Sequence, residues 1–163
     1  MGSQTAVVST DDAIESENCQ IILVADDELD EEEIRDWVNL AGLQPRPELL
    51  FAPDKTSLFE LLAEKAKAGT GLPRIVFLDL NLKSKRFGLE ALKDLKSTES
   101  YAQIPVVIYS QSSDPDDIRV TNELHANSYL TKGAGDTQGQ RFADALKYWL
   151  SLDHFCGAQD DEY

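Results

Sequence analysis

Residues 75–81 read Ile-Val-Phe-Leu-Asp-Leu-Asn, an apolar run followed at once by an acid and, two residues later, by an amide. Continuous hydrophobicity predicts a strand that is buried on both faces, as in a parallel sheet covered by helices. Four further runs of strand length occur along the chain, at residues 21–24, 49–52, 105–109 and 128–130. Helical patterns separate these runs. The sequence therefore predicts an α/β fold with a doubly wound, five-stranded parallel sheet.

Two of the intervening helices have clear boundary signals. Apolar residues at helical spacing within residues 34–41 predict the first helix, and Gly42 is a suitable stop. Asp114 is a good N-cap for the fourth helix, and Pro115 suits a first helical position because its missing N–H has no partner there anyway. Acidic residues at 116–117 favour the positive end of the helix dipole.

The charge balance excludes several classes of partner. Thirty acidic residues against fifteen basic residues give a formal net charge of −15, which opposes attraction to phosphate backbones and anionic membranes. No apolar run approaches the roughly 18 residues needed to cross a bilayer, and the N-terminus lacks the features of a secretory signal. We therefore expect a cytoplasmic protein with no nucleic-acid or membrane partner.

Charged residues follow three of the predicted strands. Asp26 and Asp27 come after the first strand, Asp79 after the third and Lys132 after the fifth. The carboxyl ends of parallel strands border the crevice in which ligands bind, so these side chains are expected to converge there. Carboxylates about 4 Å apart repel by roughly 4 kcal/mol at an effective dielectric constant near 20, so three of them need a cation. Mg²⁺ fits such oxygen ligands, and we expect a magnesium-dependent phosphoryl-accepting site.

Over about residues 20–150 the chain resembles the receiver domain of two-component response regulators. The family has an acidic pair, a phosphoaccepting aspartate, a serine or threonine, and an aromatic residue three positions before a lysine. The matching residues here are, in order, Asp26-Asp27, Asp79, Ser110, Tyr129 and Lys132. The resemblance implies a flavodoxin-like sheet of strand order 2-1-3-4-5. We therefore expect a receiver domain over residues 19–152 and an extension at 153–163, whereas the polar composition of residues 1–18 predicts a disordered tail or expression remnant.

The resemblance assigns a metal site and its ligands. Asp27 and Asp79 would bind Mg²⁺ directly, the Asn81 carbonyl would complete the protein ligands, and Asp26 would act largely through water. Mg²⁺ is thus the expected cofactor.

The resemblance also assigns a transfer reaction and a switch. Asp79 would accept a phosphoryl group from a sensor histidine kinase while Lys132 and the metal neutralise its oxygens. Ser110 would bond the attached group, and its movement would let Tyr129 turn inward. Gly133 follows Lys132 where the family usually has proline after a cis peptide bond, so the sequence no longer favours that cis geometry.

The sequence is compatible with three functions. The leading hypothesis is a single-domain response regulator, because we expect residues 151–163 to be too few to form an output domain. The C-terminal end of the chain resembles that of single-domain regulators paired with bacterial phytochrome kinases. A receiver-like interaction module without phosphorylation is the first alternative. A small Mg²⁺-dependent aspartyl-phosphate phosphatase is less favoured, because such enzymes carry a second acid where Asn81 stands.

The region of the last helix carries more apolar and aromatic surface than an inward face requires. The residues concerned are Tyr148, Trp149, Leu152 and Phe155. A homodimer through this region is one explanation, and burial of the same residues in the core is the other.

Overall fold

A computed structural model describes residues 19–26, 30–69, 71–133 and 137–152. Over these residues, five strands alternate with five helices. The strands are β1 (Gln20–Val24), β2 (Glu48–Ala52), β3 (Ile75–Leu78), β4 (Val106–Ser110) and β5 (Ser128–Thr131). The helices are α1 (Asp30–Leu40), α2 (Lys55–Ala68), α3 (Lys85–Ser97), α4 (Pro115–Glu123) and α5 (Thr137–Leu150).

The strands form one parallel sheet in the order β2-β1-β3-β4-β5, which confirms both the predicted fold class and the strand order. The register aligns the carboxyl ends of the central strands. Val24 pairs with Leu78, and Leu78 pairs with Ile108. Residues that directly follow β1, β3 and β4 therefore emerge at the same edge of the sheet, which is where the site was expected.

Alternate residues of the central strands supply two cores, one on each face of the sheet, because successive strand side chains point to opposite faces. One core packs the sheet against α2 and α3 and includes Leu58, Leu62, Leu92 and Leu95. The other packs it against α1 and α5 and includes Ile34, Val38, Phe142 and Leu146. Burial on both faces explains why β3 reads as an unbroken apolar run.

The predicted helix boundaries are confirmed where their signals were clear. Gly42 has a φ of +64° just beyond α1, and its N–H donates to the Asn39 carbonyl at 3.0 Å. Asp114 caps α4, its Oδ1 accepting from the Asp116 N–H at 2.9 Å, and Pro115 is the first helical residue. No helix within the described ranges is both long and apolar enough to cross a bilayer. The predicted tail at 1–18 and extension at 153–163 lie outside the described residues.

Candidate functional site

Asp79 lies directly after β3 and is almost fully buried. Its N–H donates to the Val24 carbonyl at 2.9 Å, which fixes the backbone beside the end of β1. Its Oδ2 accepts from Lys132 Nζ at 2.8 Å, and the two side chains are only 10% and 12% exposed. A charge pair that is this well shielded from water interacts far more strongly than a surface pair. The structure thus brings two predicted site residues, from β3 and β5, into direct contact.

Lys132 reaches Asp79 although Gly133 follows it. Its N–H donates to the Ser110 carbonyl at 2.7 Å, so the backbone beyond β5 stays attached to the end of β4. Its Nζ lies 4.9 Å from the centroid of the Tyr109 ring, where the ring face attracts a cation. The peptide bond between Lys132 and Gly133 is trans. A glycine at this position is therefore compatible with a correctly placed lysine.

The loop after Asp79 turns back on the Asp79 carboxylate. Asp79 Oδ1 accepts from the Asn81 N–H at 2.9 Å, while the Asn81 residue is exposed at the mouth of the site. Leu80, between them, is 1% exposed and anchors the loop in the core. Both carboxylate oxygens of Asp79 are thus oriented, one by a backbone N–H and the other by Lys132.

Asp26 follows β1 and is exposed. Its Oδ2 accepts from the Lys83 N–H at 2.9 Å, so this acid touches the loop that begins at Asp79. Lys83 has a φ of +61°, a left-handed conformation that is uncommon for a residue with a side chain. Asp27, the other predicted acid, lies outside the described residues.

Ser110 and Tyr129, the predicted switch residues, meet at a third residue. Ser110 is fully buried at the end of β4, and its Oγ accepts from the Ser112 N–H at 3.2 Å. The half-buried Tyr129 donates its hydroxyl to the Ser112 carbonyl at 2.7 Å. Each predicted switch residue therefore contacts Ser112 in the loop between β4 and α4.

No sequence signal points to Ser112 or to the contacts that Asp117 makes. The acidic position in the first turn predicts only that Asp117 complements the dipole of α4, yet its side chain is buried and bonds both Ser112 and Lys85. Lys85 lies at the start of α3, 32 positions earlier in the chain. No local pattern indicates such a contact, because it depends on how closely the first turns of the two helices approach each other.

The donor set at this edge suits a hard divalent cation. Asp26 and Asp79 supply carboxylate oxygens, and each Asp79 oxygen keeps a lone pair beyond the hydrogen bond that it accepts. Mg²⁺ prefers such oxygens and retains several waters. No group of three potential metal-binding side chains occurs in the part of the chain that the structure describes, which leaves out Asp27.

Comparison with known proteins gives matches over most of the chain. Residues 21–141 match the family model of the response regulator receiver domain. The probable methanogenesis regulatory protein FilR2 of Methanothrix harundinacea is 41% identical over 83 residues, which cover 50% of this chain and 53% of that protein. The match therefore spans about half the length of FilR2. The response regulator Rcp1 of Synechocystis is 31% identical over 113 residues, covering 69% of this chain and 75% of that protein.

Solved structures agree with these matches. The phosphorylated cyanobacterial phytochrome response regulator RcpA is 32% identical with a TM-score of 0.72, covering 82% of this chain and 95% of that chain. A Mn²⁺-bound form of Rcp1 is 26% identical with a TM-score of 0.70, covering 84% and 98% respectively. The extent of the family match, together with the strand order, places this chain in the response regulator receiver domain family of two-component systems.

Proposed function

We propose that the chain accepts a phosphoryl group on Asp79 from a phosphohistidine of a sensor histidine kinase, in a reaction that requires Mg²⁺. The observation that carries the proposal is the shielded contact of 2.8 Å between Asp79 Oδ2 and Lys132 Nζ at the carboxyl edge of the sheet. Because the chain belongs to the receiver family, we infer a signalling role rather than a catalytic one.

In the proposed reaction a carboxylate oxygen of Asp79 forms a bond to phosphorus as the bond between phosphorus and the histidine nitrogen breaks. The other ring nitrogen of the phosphohistidine carries a proton, so the imidazole leaves as the neutral ring with the bonding electron pair on the nitrogen that held the phosphorus. Lys132, which contacts Asp79 Oδ2, neutralises charge on the phosphoryl oxygens. The Asn81 N–H keeps Asp79 Oδ1 oriented. Phosphoryl transfer depends mainly on positioning and charge neutralisation, both of which these contacts provide.

Asp26, Asp27 and Asp79 would hold the Mg²⁺ ion together with the Asn81 carbonyl. When bound, the ion neutralises the acids and a phosphoryl oxygen. The Lys83 N–H orients Asp26 for this role. The Mn²⁺-bound form of Rcp1 supports a divalent-cation site in a relative of this chain.

The proposal is tested by incubating the protein with acetyl phosphate and Mg²⁺ and measuring its intact mass. We expect a gain of one phosphoryl group that is lost in Asp79→Asn and in EDTA but retained in Asp36→Asn. Asp36 is a suitable control because it is an exposed acid on α1. Failure of the wild type to gain mass would favour the interaction module without phosphorylation.

Turnover of a phosphomonoester beyond one equivalent would instead favour the aspartyl-phosphate phosphatase. The structure gives that alternative no support at the position where such enzymes carry their second acid. Asn81 stands there, exposed and unable to donate a proton as a general acid.

The partner kinase is proposed to be of the phytochrome type. The support is the identity of 31–32% with Rcp1 and with the phytochrome response regulator RcpA. Phosphotransfer from a phosphorylated phytochrome kinase should then be faster than transfer from an unrelated histidine kinase. Equal rates would contradict this assignment.

A homodimer through the last helix region is also proposed. Tyr148 is 61% exposed, so burial in the core does not account for this aromatic residue. Trp149, in contrast, is half-buried against the core that α1 and α5 form with the sheet. Phe155 lies outside the described residues. Tyr148→Ser should therefore reduce the mass seen by light scattering without changing the circular dichroism spectrum. A wild-type protein that scatters as a monomer would contradict the dimer.

A further inference from the structure

Ser112 connects the two predicted switch residues through its main chain. Its N–H donates to Ser110 Oγ at 3.2 Å, and its carbonyl accepts from the Tyr129 hydroxyl at 2.7 Å. Because Ser110 Oγ accepts this N–H, the hydroxyl hydrogen of Ser110 can be donated toward a phosphoryl group. The placement of Ser112 therefore determines the arrangement of both residues.

The side chain of Ser112 is itself anchored. Its Oγ donates to Asp117 Oδ2 at 2.5 Å and accepts from the Asp114 N–H at 3.2 Å. The other carboxylate oxygen, Asp117 Oδ1, pairs with Lys85 Nζ at 2.7 Å. Asp117 is 8% exposed at its side chain, so it sits in a shielded position between a hydroxyl and an ammonium group. Hydrogen bonds of this charge-assisted kind are stronger than neutral ones.

These contacts join two helix starts across the edge of the site. Lys85 is the first residue of α3, six positions after Asp79, whereas Asp117 is in the first turn of α4. The hydrogen bonds with Lys85 and Ser112 hold the pKa of the Asp117 carboxyl below its usual range. The same pairing raises the pKa of Lys85. Both groups are thus charged at neutral pH.

We propose that Lys85 and Asp117 are positioning residues that act through Ser112, holding Ser110 and Tyr129 in the arrangement that favours phosphorylation of Asp79. The part of this inference that concerns the reaction rests on the proposed function. We call the contact chain of Lys85, Asp117 and Ser112 the α3–α4 bridge. Breaking it releases the β4 to α4 loop, so that Tyr129 loses its acceptor and Ser110 loses its donor.

The first test uses fluorine NMR and needs no phosphorylation. Protein labelled with fluorotyrosine gives a Tyr129 resonance that Tyr129→Phe identifies. In Lys85→Met we expect this resonance to move toward that of the exposed Tyr148, and in Lys85→Arg, which keeps a cation, we expect it to stay near its wild-type position. Arg86→Met is the matched control, because Arg86 is exposed and pairs with Glu90 on its own helix.

The second test measures the rate of labelling by acetyl phosphate and Mg²⁺. We expect about a threefold decrease in Lys85→Met, because the Lys85 side chain is 49% exposed, and about a tenfold decrease in Asp117→Ala, because the Asp117 side chain is only 8% exposed. Lys85→Arg should restore most of the rate, and Arg86→Met should leave it unchanged. If Asp117→Ala fails to fold, the labelling rate of Lys85→Met is sufficient to test the positioning role.

The outcomes separate this inference from the proposed function. An unchanged Tyr129 resonance in folded Lys85→Met overturns the α3–α4 bridge. A shifted resonance with an unchanged labelling rate overturns its positioning role. If the wild type is not labelled at all, the proposed function fails and with it the role in the reaction, while the resonance still decides whether the bridge holds Tyr129.

Discussion

Replacing Gly88 by alanine should disturb both stability and the phosphoryl-accepting loop. Gly88 lies in the first turns of α3, where a Cβ atom would be 2.2 Å from the Leu80 carbonyl oxygen and 2.5 Å from the Leu80 Cα. The obstructing atoms are backbone, so no side-chain rotation relieves the overlap. Leu80 is buried and immediately follows Asp79, so the start of α3 must move away from the site or push against it.

The magnitude follows from two opposing effects. Overpacking against rigid backbone atoms costs about 3 kcal/mol. Alanine regains at most about 1 kcal/mol of this, because it is more stable than glycine within a helix. Gly88→Ala should therefore lower the free energy of unfolding by about 2 kcal/mol and the Tm by about 4–8 °C. The same displacement of the loop should slow labelling of Asp79 by acetyl phosphate.

Urea denaturation followed by circular dichroism measures the first effect, and intact mass against time measures the second. Gly69→Ala is the matched control. Gly69 has a φ of +67° at the end of α2, and a Cβ atom there meets nothing within 4 Å. It should cost about 1 kcal/mol from backbone strain and leave labelling unchanged. A Gly88→Ala protein as stable and as quickly labelled as the wild type would show that a Cβ at position 88 does not displace the Leu80 backbone.

Three further predictions concern stability. Asp114→Ala removes the N-cap of α4 and should cost about 1 kcal/mol in urea denaturation, whereas Asp114→Asn should cost little; equal costs would contradict the cap. Gly139→Ala would place a Cβ 2.5 Å from Trp37 Nε1, so the indole must shift. The free energy of unfolding should fall by about 1–2 kcal/mol, and the tryptophan fluorescence should change. An unchanged fluorescence spectrum would contradict this contact. Burial lowers the pKa of Lys96 to about 8 although its ammonium donates three hydrogen bonds. Between pH 8 and the ordinary lysine pKa of about 10.4, the unfolded chain holds a proton that the folded protein has released, so this group's contribution to stability rises with pH. Compared with Lys96→Met, the wild type should gain about 1–2 kcal/mol across that window after allowance for solvent screening, and a relative loss would contradict the assignment.

The strand positions and the convergence of charged residues could be predicted because both depend on local pattern. An apolar run that ends in an acid marks the end of a buried strand, and parallel strands place their ends at one edge. Asp79 and Lys132 therefore meet as expected. The strand order is predicted only by resemblance to the receiver family, because five similar apolar runs do not specify which strands are neighbours in the sheet.

The contacts that could not be predicted are those set by tertiary packing. Asp117 has the position of an ordinary helix-start acid, and only the approach of α3 to α4 turns it into a buried partner of Lys85. Lys83 carries no signal of a left-handed backbone, as a glycine or asparagine would. The Lys83 N–H nevertheless donates to the Asp26 carboxylate. A proline at position 83 would have no N–H for this hydrogen bond.

We propose that Asp79, and no other acid, takes the phosphoryl group. Protein labelled with acetyl phosphate and Mg²⁺ can be reduced with borohydride, which converts an aspartyl phosphate to homoserine, and then mapped by peptide mass spectrometry. We predict homoserine at position 79 in the wild type and at no position in an unlabelled sample. Homoserine at position 26 or at another acid, with position 79 unmodified, would show that Asp79 is not the acceptor.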